Sequence, residues 1–358
     1  MRPARSPLDP WLAARLGLTQ VSAPAVEAWQ MAELRRTLAW ARLASPFHAA
    51  RLAGCELETL RAPADLARLP RMDATHLEAP GLLTVSQDEV ARVVTLPSSG
   101  SSGPPKRLHF SEADLKRTLD FFAVGMSTLC GPGAVVLVLL PGRREHGVAD
   151  LLRRALPRIG AQAVLPPQQE GSPACAWNAE GLAELLSQHA ATCLIAAPTQ
   201  LRALLEHPQA RMACRRVQTV LASGEPLPED LRQAVQQAFG CRVFDHWGMT
   251  ETGYGGGVEC AAASGYHLRE ADLLVEVAHP ETGQPLPPGE TGEVLISTLG
   301  PRALPLLRYK TGDAARLLPG PCPCGSPLRR LGRVSGRLDA QGRTNPPTPK
   351  NWQGWNTP

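Results

Sequence analysis

An α/β fold with mostly parallel sheets flanked by helices, and a β-rich subdomain behind them, is what the sequence predicts, on three observations. Between about residues 93 and 270, short apolar runs alternate with segments of helical period, the pattern of parallel strands joined by crossover helices. After Leu273 the apolar residues fall into paired short runs about a Gly/Pro turn, the pattern of a hairpin. The 358 residues are 43% hydrophobic and 20% charged, enough to bury a sizeable core and unlike a disordered or fibrous chain.

The elements follow in order. Residues 1–90 read as an N-terminal helical region: Met31, Leu34, Leu38 and Ala41 recur at three- and four-residue spacing, and Ser45-Pro46 interrupts the run. The α/β core is expected over 91–270, with strands at 93–96, 134–140, 162–165, 193–196, 217–221 and 241–244. Helices are expected between them at 113–125, 149–159, 181–189 and 229–239. The β-rich subdomain covers 271–340, with strands at 273–277 and 292–296. Residues 341–358 hold four prolines and no apolar period, which predicts a disordered tail.

Charge and cysteine content narrow the class. The net charge is +4 with the basic residues scattered, so neither nucleic acid nor a membrane surface is expected as a partner. The first ten residues lack a signal-peptide core and the most apolar stretch, 134–140, is too short to span a bilayer, which points to the cytoplasm. Nine irregularly spaced cysteines then read as thiols or metal ligands, not disulfides.

Five short segments carry chemistry, each after an expected strand or inside the β-rich part. Ser98-Ser99-Gly100-Ser101-Ser102-Gly103-Pro104-Pro105-Lys106 offers hydroxyls, flexible backbone N–H groups and one of only four lysines; alone such a stretch is more often a linker, but its place after an expected strand and the lysine at its end favour a polyanion. Asp245-His246-Trp247-Gly248-Met249-Thr250-Glu251 places an aromatic, a hydroxyl and a carboxylate where open α/β sheets bind ligands, and Ser223-Gly224-Glu225 lies beyond the neighbouring strand. Tyr309-Lys310-Thr311-Gly312-Asp313, with Gly336-Arg337-Leu338-Asp339 further on, supplies a carboxylate and a guanidinium that suit ribose hydroxyls. His246 reads as a core histidine or as one wall of a substrate pocket.

In this order the segments resemble those of the adenylate-forming superfamily, in particular its phenylacetate-CoA ligase-like branch, whose loops read near SSGTTGxPK, YGxTE, YRTGD and GRxDD. The resemblance extends over about residues 25–340. It implies the large N-terminal domain of an enzyme that uses ATP to convert an aryl or small organic acid to an acyl-adenylate, on the way to an acyl-CoA thioester. By motif position Ser98, Ser99, Gly100, Ser101, Ser102, Gly103 and Lys106 would hold the phosphates. Thr250 would meet the α-phosphate, and Glu251 a magnesium ion. Ser223, Gly224, Glu225 and Trp247 would surround adenine, with Asp313 and Arg337 on the ribose. The acyl pocket is expected from 141–150, 197–201 and 246–249.

The sequence departs from the family pattern at four places. Ser101-Ser102 stand for two threonines, Trp247 for tyrosine and Lys310 for arginine. After Asp339 only the proline-rich tail follows, so the family's mobile C-terminal lid domain is expected to be absent. That leaves a second reading, a catalytically impaired or split adenylating protein acting as a nucleotide-binding or scaffold subunit. The expected partners are the acid and ATP, coenzyme A or a carrier-protein thiol as acceptor, a separate C-terminal domain, and a second copy of the chain.

Cys260 and His267, with Cys322 and Cys324 in Cys-Pro-Cys-Gly, make a Cys3His set suited to structural zinc. Spacing alone fits four unrelated loop residues as well; the resemblance favours the metal. The other cysteines, at 55, 130, 175, 193, 214 and 241, read as packing residues.

Overall fold

The computed structural model describes residues 3–96, 105–167, 179–339 and 342–345. The chain opens with α1 (Leu8–Leu16), α2 (Ala23–Ala44) and α3 (Pro46–Arg51). Ser45 both ends α2 and begins α3. Preceding a proline, it takes extended backbone (φ −128°, ψ 115°), and its hydroxyl accepts from His48 N at 3.3 Å.

Strands β1 (Val90–Leu96) and β2 (Lys106–Ser111) pair antiparallel, with Leu96 opposite Lys106. The strand expected at 93–96 is present, but its partner is a stretch with no strand signal, and the pair stands apart from the parallel sheet. Next, α4 (Glu112–Met126) starts at a capping box: Ser111 Oγ accepts from Asp114 N at 3.3 Å, and Asp114 Oδ2 accepts from Ser111 N at 3.0 Å. The same carboxylate accepts from Ala303 N at 3.0 Å, tying the helix start to a distant loop. Ser111→Ala is expected to cost about 1 kcal/mol, read as a lower urea midpoint at unchanged slope.

The remaining strands are β3 (Val135–Val138), β4 (Gln162–Val164), β5 (Cys193–Ala196), β6 (Thr219–Ala222), β7 (Arg242–Trp247), β8 (Gly257–Glu259), β9 (Tyr266–Leu268), β10 (Leu273–Ala278), β11 (Gly292–Thr298), β12 (Tyr309–Ala315), β13 (Leu317–Leu318), β14 (Arg330–Leu331), β15 (Gly336–Leu338) and β16 (Thr344–Asn345). Between them lie α5 (Val148–Ala155), α6 (Ala179–Gln188), α7 (Pro198–Glu206), α8 (Pro208–Ala213) and α9 (Glu229–Phe239). Among the described residues one nine-stranded sheet has the order β13-β14-β9-β8-β7-β6-β5-β3-β4, and a five-stranded sheet the order β10-β11-β12-β15-β16. Strands β3 to β7 are parallel. Strands from the 271–340 stretch divide between the two sheets, and two residues expected in the tail form β16.

Alternate residues of the parallel strands take opposite faces. Val136, Val138, Ile195, Leu221 and Phe244 belong to one core with α4 and α5; Leu137, Leu194, Val220 and Val243 belong to another with α6, α7 and α9. With both faces covered, such strands read as unbroken apolar runs. At the start of β12, Arg308 (φ 49°) is buried against Glu276, donating to its Oε1 at 3.0 Å, to Leu69 O at 3.1 Å and to Gly283 O at 2.6 Å. Met72 bonds Arg308 O and Lys310 N through its own backbone, so the N-terminal region sets the position of the strand that carries Tyr309 and Asp313. Among the described residues no helix is long and apolar enough to cross a membrane.

Candidate active site

Of the candidate residues, Ser223 to Glu225 follow β6 and Trp247 to Glu251 end or follow β7, beyond the carboxyl ends of parallel strands, where ligands of open α/β sheets bind; Lys106, Asp313 and Arg337 come from the other sheets. Strand β3 lies between β4 and β5, so the connection from β3 to β4 and the one from β4 to β5 run in opposite directions along the sheet, the topology that opens a crevice in such folds. A cavity of about 40 Å³ in this region is lined by Leu140 after β3, Ile195 of β5, Leu221 and Ser223 at β6, and His246 of β7. Phe121, Phe122, Gly125 and Met126 of α4 close it, with Val148, Leu152, Tyr254 and Val258. Of the segments expected to line an acyl pocket, 141–150 contributes Val148 to this cavity and 246–249 contributes His246, whereas no residue of 197–201 lines it. Helix α4 was missed, because an apolar helix face signals burial without saying against what. The loop that delivers Val148 folds back so closely that a Cβ on Gly147 would lie 2.2 Å from Gly142 O.

Beyond β7, residues Thr250–Thr252 form a single 3-10 turn. Arg269 Nη1 donates to Thr252 O at 3.4 Å and Thr118 Oγ1 to Gly253 O at 3.1 Å, holding the turn from behind. Arg269 is paired with Asp272; burial opposes the charge on Asp272, yet Arg269, Arg302 and Arg15 hold its carboxyl down to about 2. The turn buries Thr250 and Glu251. Tyr309 Oη donates to Glu251 Oε1 at 3.1 Å, and Lys106 Nζ lies 3.8 Å from the same oxygen. Burial and the Glu251 charge both push the Tyr309 hydroxyl up, so it stays a donor. Oε2 of Glu251 makes no hydrogen bond to a described residue, so a carboxylate oxygen is left that fits a hard cation such as magnesium.

Trp247 Nε1 donates to Asp313 Oδ2 at 3.0 Å, and Arg337 Nη1 to Asp313 Oδ1 at 2.5 Å. The pairing of β12 with β15 sets Asp313 opposite Arg337, and Gly312, at φ 75°, packs against the guanidinium. Trp247 is buried, with Gly256 against its six-membered ring. The tyrosine hydroxyl that Trp247 lacks is therefore replaced by an indole donor with a partner of its own. Lys310, the other departure, turns to Glu293, 3.5 Å away.

Ser223 Oγ lies 3.2 Å from His246 Nδ1, and Gly224 is left-handed at φ 90°. Glu225 accepts from Thr199 N at 3.2 Å and from Thr199 Oγ1 at 3.0 Å, capping the first turn of α7. The sequence gives no hint of this use, because the capped turn lies 26 residues upstream. Ser98, Ser99, Gly100, Ser101, Ser102 and Gly103 lie outside the described residues, as do Cys175 and the tail from 346.

Cys260, His267, Cys322 and Cys324 are all buried, and their ligand atoms lie within 4.8 Å of one another. The Cys260 and Cys322 sulfurs are 3.6 Å apart, and Cys324 Sγ is 3.7 Å from His267 Nε2. These are far beyond a disulfide bond of about 2.05 Å. They match the edges, about 3.8 Å, of a tetrahedron with zinc–sulfur bonds of about 2.3 Å. Burial pushes the Cys260 and Cys322 thiols up and the His267 imidazole down to about 4. Three soft thiols and a neutral imidazole in one closed cluster fit zinc. The turn at Cys322–Gly325 is closed by Gly325 N to Cys322 O at 2.8 Å, and Ser326 Oγ anchors it to Asp9 of α1 at 2.5 Å.

The profile of the family described as AMP-binding enzyme matches residues 57–301. The phenylacetate-coenzyme A ligase of Thermus thermophilus is 30% identical over 327 residues, covering 88% of this chain and 71% of that relative. The Pseudomonas putida protein of the same name is 27% identical over 353 residues, covering 94% and 74%. Among solved structures, an open conformation of 2-hydroxyisobutyryl-CoA ligase in complex with 2-HIB-AMP and CoA matches with a TM-score of 0.76 at 21% identity, over 89% of this chain and 71% of that one. That likeness speaks to the fold alone.

Proposed function

The chain belongs to the AMP-binding enzyme family and, within it, to the phenylacetate-coenzyme A ligase-like branch, and on that premise we propose how its residues carry the reaction. The enzyme activates a carboxylic acid with ATP to an acyl-adenylate; we take the acid to be aryl or small and the final acceptor to be coenzyme A. The observation that carries the assignment of roles is the direct bonding of two distant segments, Tyr309 to Glu251 and Asp313 to Trp247. It makes one continuous wall from the sheet's carboxyl edge to β12.

An oxygen of the acid attacks the α-phosphorus, an O–P bond forms, and the bond to the β-phosphate oxygen breaks as pyrophosphate leaves. The attacking group is already an anion, so no general base is needed, and positioning with charge stabilisation carries the rate. Lys106, at the start of β2, would meet the phosphates together with Ser98, Ser99, Gly100, Ser101, Ser102 and Gly103. Thr250 would bond the α-phosphate. Asp313, already oriented by Trp247 and Arg337, would accept from the ribose hydroxyls. Ser223 and Gly224 would line adenine through backbone, since the Glu225 side chain is taken up by α7. Glu251 would hold magnesium, which when bound adds positive charge against the triphosphate.

Cys260, His267, Cys322 and Cys324 would hold zinc, which when bound cross-links the segment after Glu251 to the 322–325 turn. We assign the reaction to the cytoplasm, where thiols stay reduced.

ATP–pyrophosphate exchange over a panel of acids tests the reading. Exchange that depends on the acid is expected. Magnesium-dependent ATP binding without exchange for any acid would favour the nucleotide-binding subunit instead, and absence of both would overturn the assignment.

A further inference from the structure

The cavity beside Ser223 and His246 holds one polar feature in an otherwise apolar wall. Phe121, Phe122 and Met126 of α4 face it, and Tyr254 presents its ring while its hydroxyl turns to Arg92. His246 stands on the same face of β7 as Phe244, whose neighbours are α4 and α5. Asp245 takes the other face, where it accepts from Tyr266 Oη at 2.7 Å.

The imidazole is held in one orientation. Ser223 Oγ meets Nδ1 at 3.2 Å. On the other side, a Cβ on Gly248 would lie only 2.8 Å from Cε1, so the ring occupies space that glycine alone leaves free. Nε2 makes no hydrogen bond to a described residue. Burial lowers the ring to about 4, so it is neutral at pH 7 and offers one donor and one acceptor. The serine hydroxyl can complement either role, and the tautomer follows the ligand.

A polar atom facing an apolar cavity costs free energy when a ligand covers it without bonding it. We propose that His246, oriented by Ser223, recognises a hydrogen-bonding substituent on the acyl chain, so that the enzyme prefers an acid carrying a hydroxyl or similar group to its unsubstituted counterpart. The inference rests on the acid-activating reading above and narrows it.

Calorimetric binding of acyl sulfamoyl adenosines, stable mimics of the acyl-adenylate, tests it without turnover. The pairs are butyryl with 2-hydroxybutyryl and 3-hydroxybutyryl, and phenylacetyl with 4-hydroxyphenylacetyl. At least one hydroxylated member should bind about tenfold tighter than its partner. In His246→Phe that ratio should fall below about threefold. Ratios are taken within each variant, so a general loss of affinity cancels. His246→Gln should keep part of the preference and Ser223→Ala lose part of it; these two variants give the reading if the phenylalanine does not fold. All pairs within about threefold in the unaltered protein, or a full ratio in His246→Phe, would overturn the inference while leaving acid activation intact. Absence of binding by AMP and by every analogue would overturn both.

Discussion

Replacing Cys322 and Cys324 together by serine is expected to take the zinc content from about one ion per chain to near none and to lower the unfolding free energy by roughly 3–5 kcal/mol. The loss is smaller than the apparent 10–16 kcal/mol or so that zinc lends an isolated finger, because His267 and Cys260 sit beside strands that have partners of their own. Strand β9 pairs with both β8 and β14, and Ser326 keeps its bond to Asp9. Local opening of the 322–326 turn is the larger part of the effect. Elemental analysis and urea unfolding measure the two quantities, and a chelator on the unaltered protein should reproduce the second. Unchanged metal content in the double variant would remove the zinc assignment, and unchanged stability would remove its structural role.

The Cys3His cluster was only half legible: Cys322 and Cys324 flank a single proline, but spacing alone fitted four unrelated loop residues equally well and the family resemblance favoured a shared site, while the fold alone closes the 62-residue separation of Cys260 and Cys322. The parallel strands were legible for a different reason. Strands β3, β5, β6 and β7 are covered on both faces, and unbroken apolar runs such as 193–196 announce that. Strands of two or three residues, β8, β9 and β13 to β16, carry too few positions to show a period. Strand β2 hid behind Lys106, whose charge drew the reading towards a loop. The motifs named the candidate residues but not the bonds those residues make. Nothing in the sequence says that Tyr309 reaches Glu251 or that Glu225 reaches back to Thr199, because such contacts depend on which strand edges face each other.

The bond between Tyr309 and Glu251 separates two roles of that carboxylate, and substitution at Glu251 should resolve them. Glu251→Gln keeps an oxygen to accept from Tyr309 but removes the charge beside Lys106. The expected result is a fold of nearly unchanged stability and a loss of acid-dependent exchange of about 10²–10³-fold, the scale of removing one preorganised electrostatic group. The loss should be partly recovered at raised magnesium, because a neutral amide oxygen is a weaker ligand for a hard cation. Glu251→Ala leaves both the Tyr309 hydroxyl and Lys106 without this partner, so it should lose activity and also about 1–3 kcal/mol of stability. Tyr309→Phe keeps the carboxylate and removes one hydrogen bond, and should cost no more than about tenfold in exchange. The ordering is the test. If Tyr309→Phe is as damaging as Glu251→Gln, Glu251 acts by holding Tyr309. If Glu251→Gln retains full exchange with unchanged magnesium dependence, its charge has no part in the reaction.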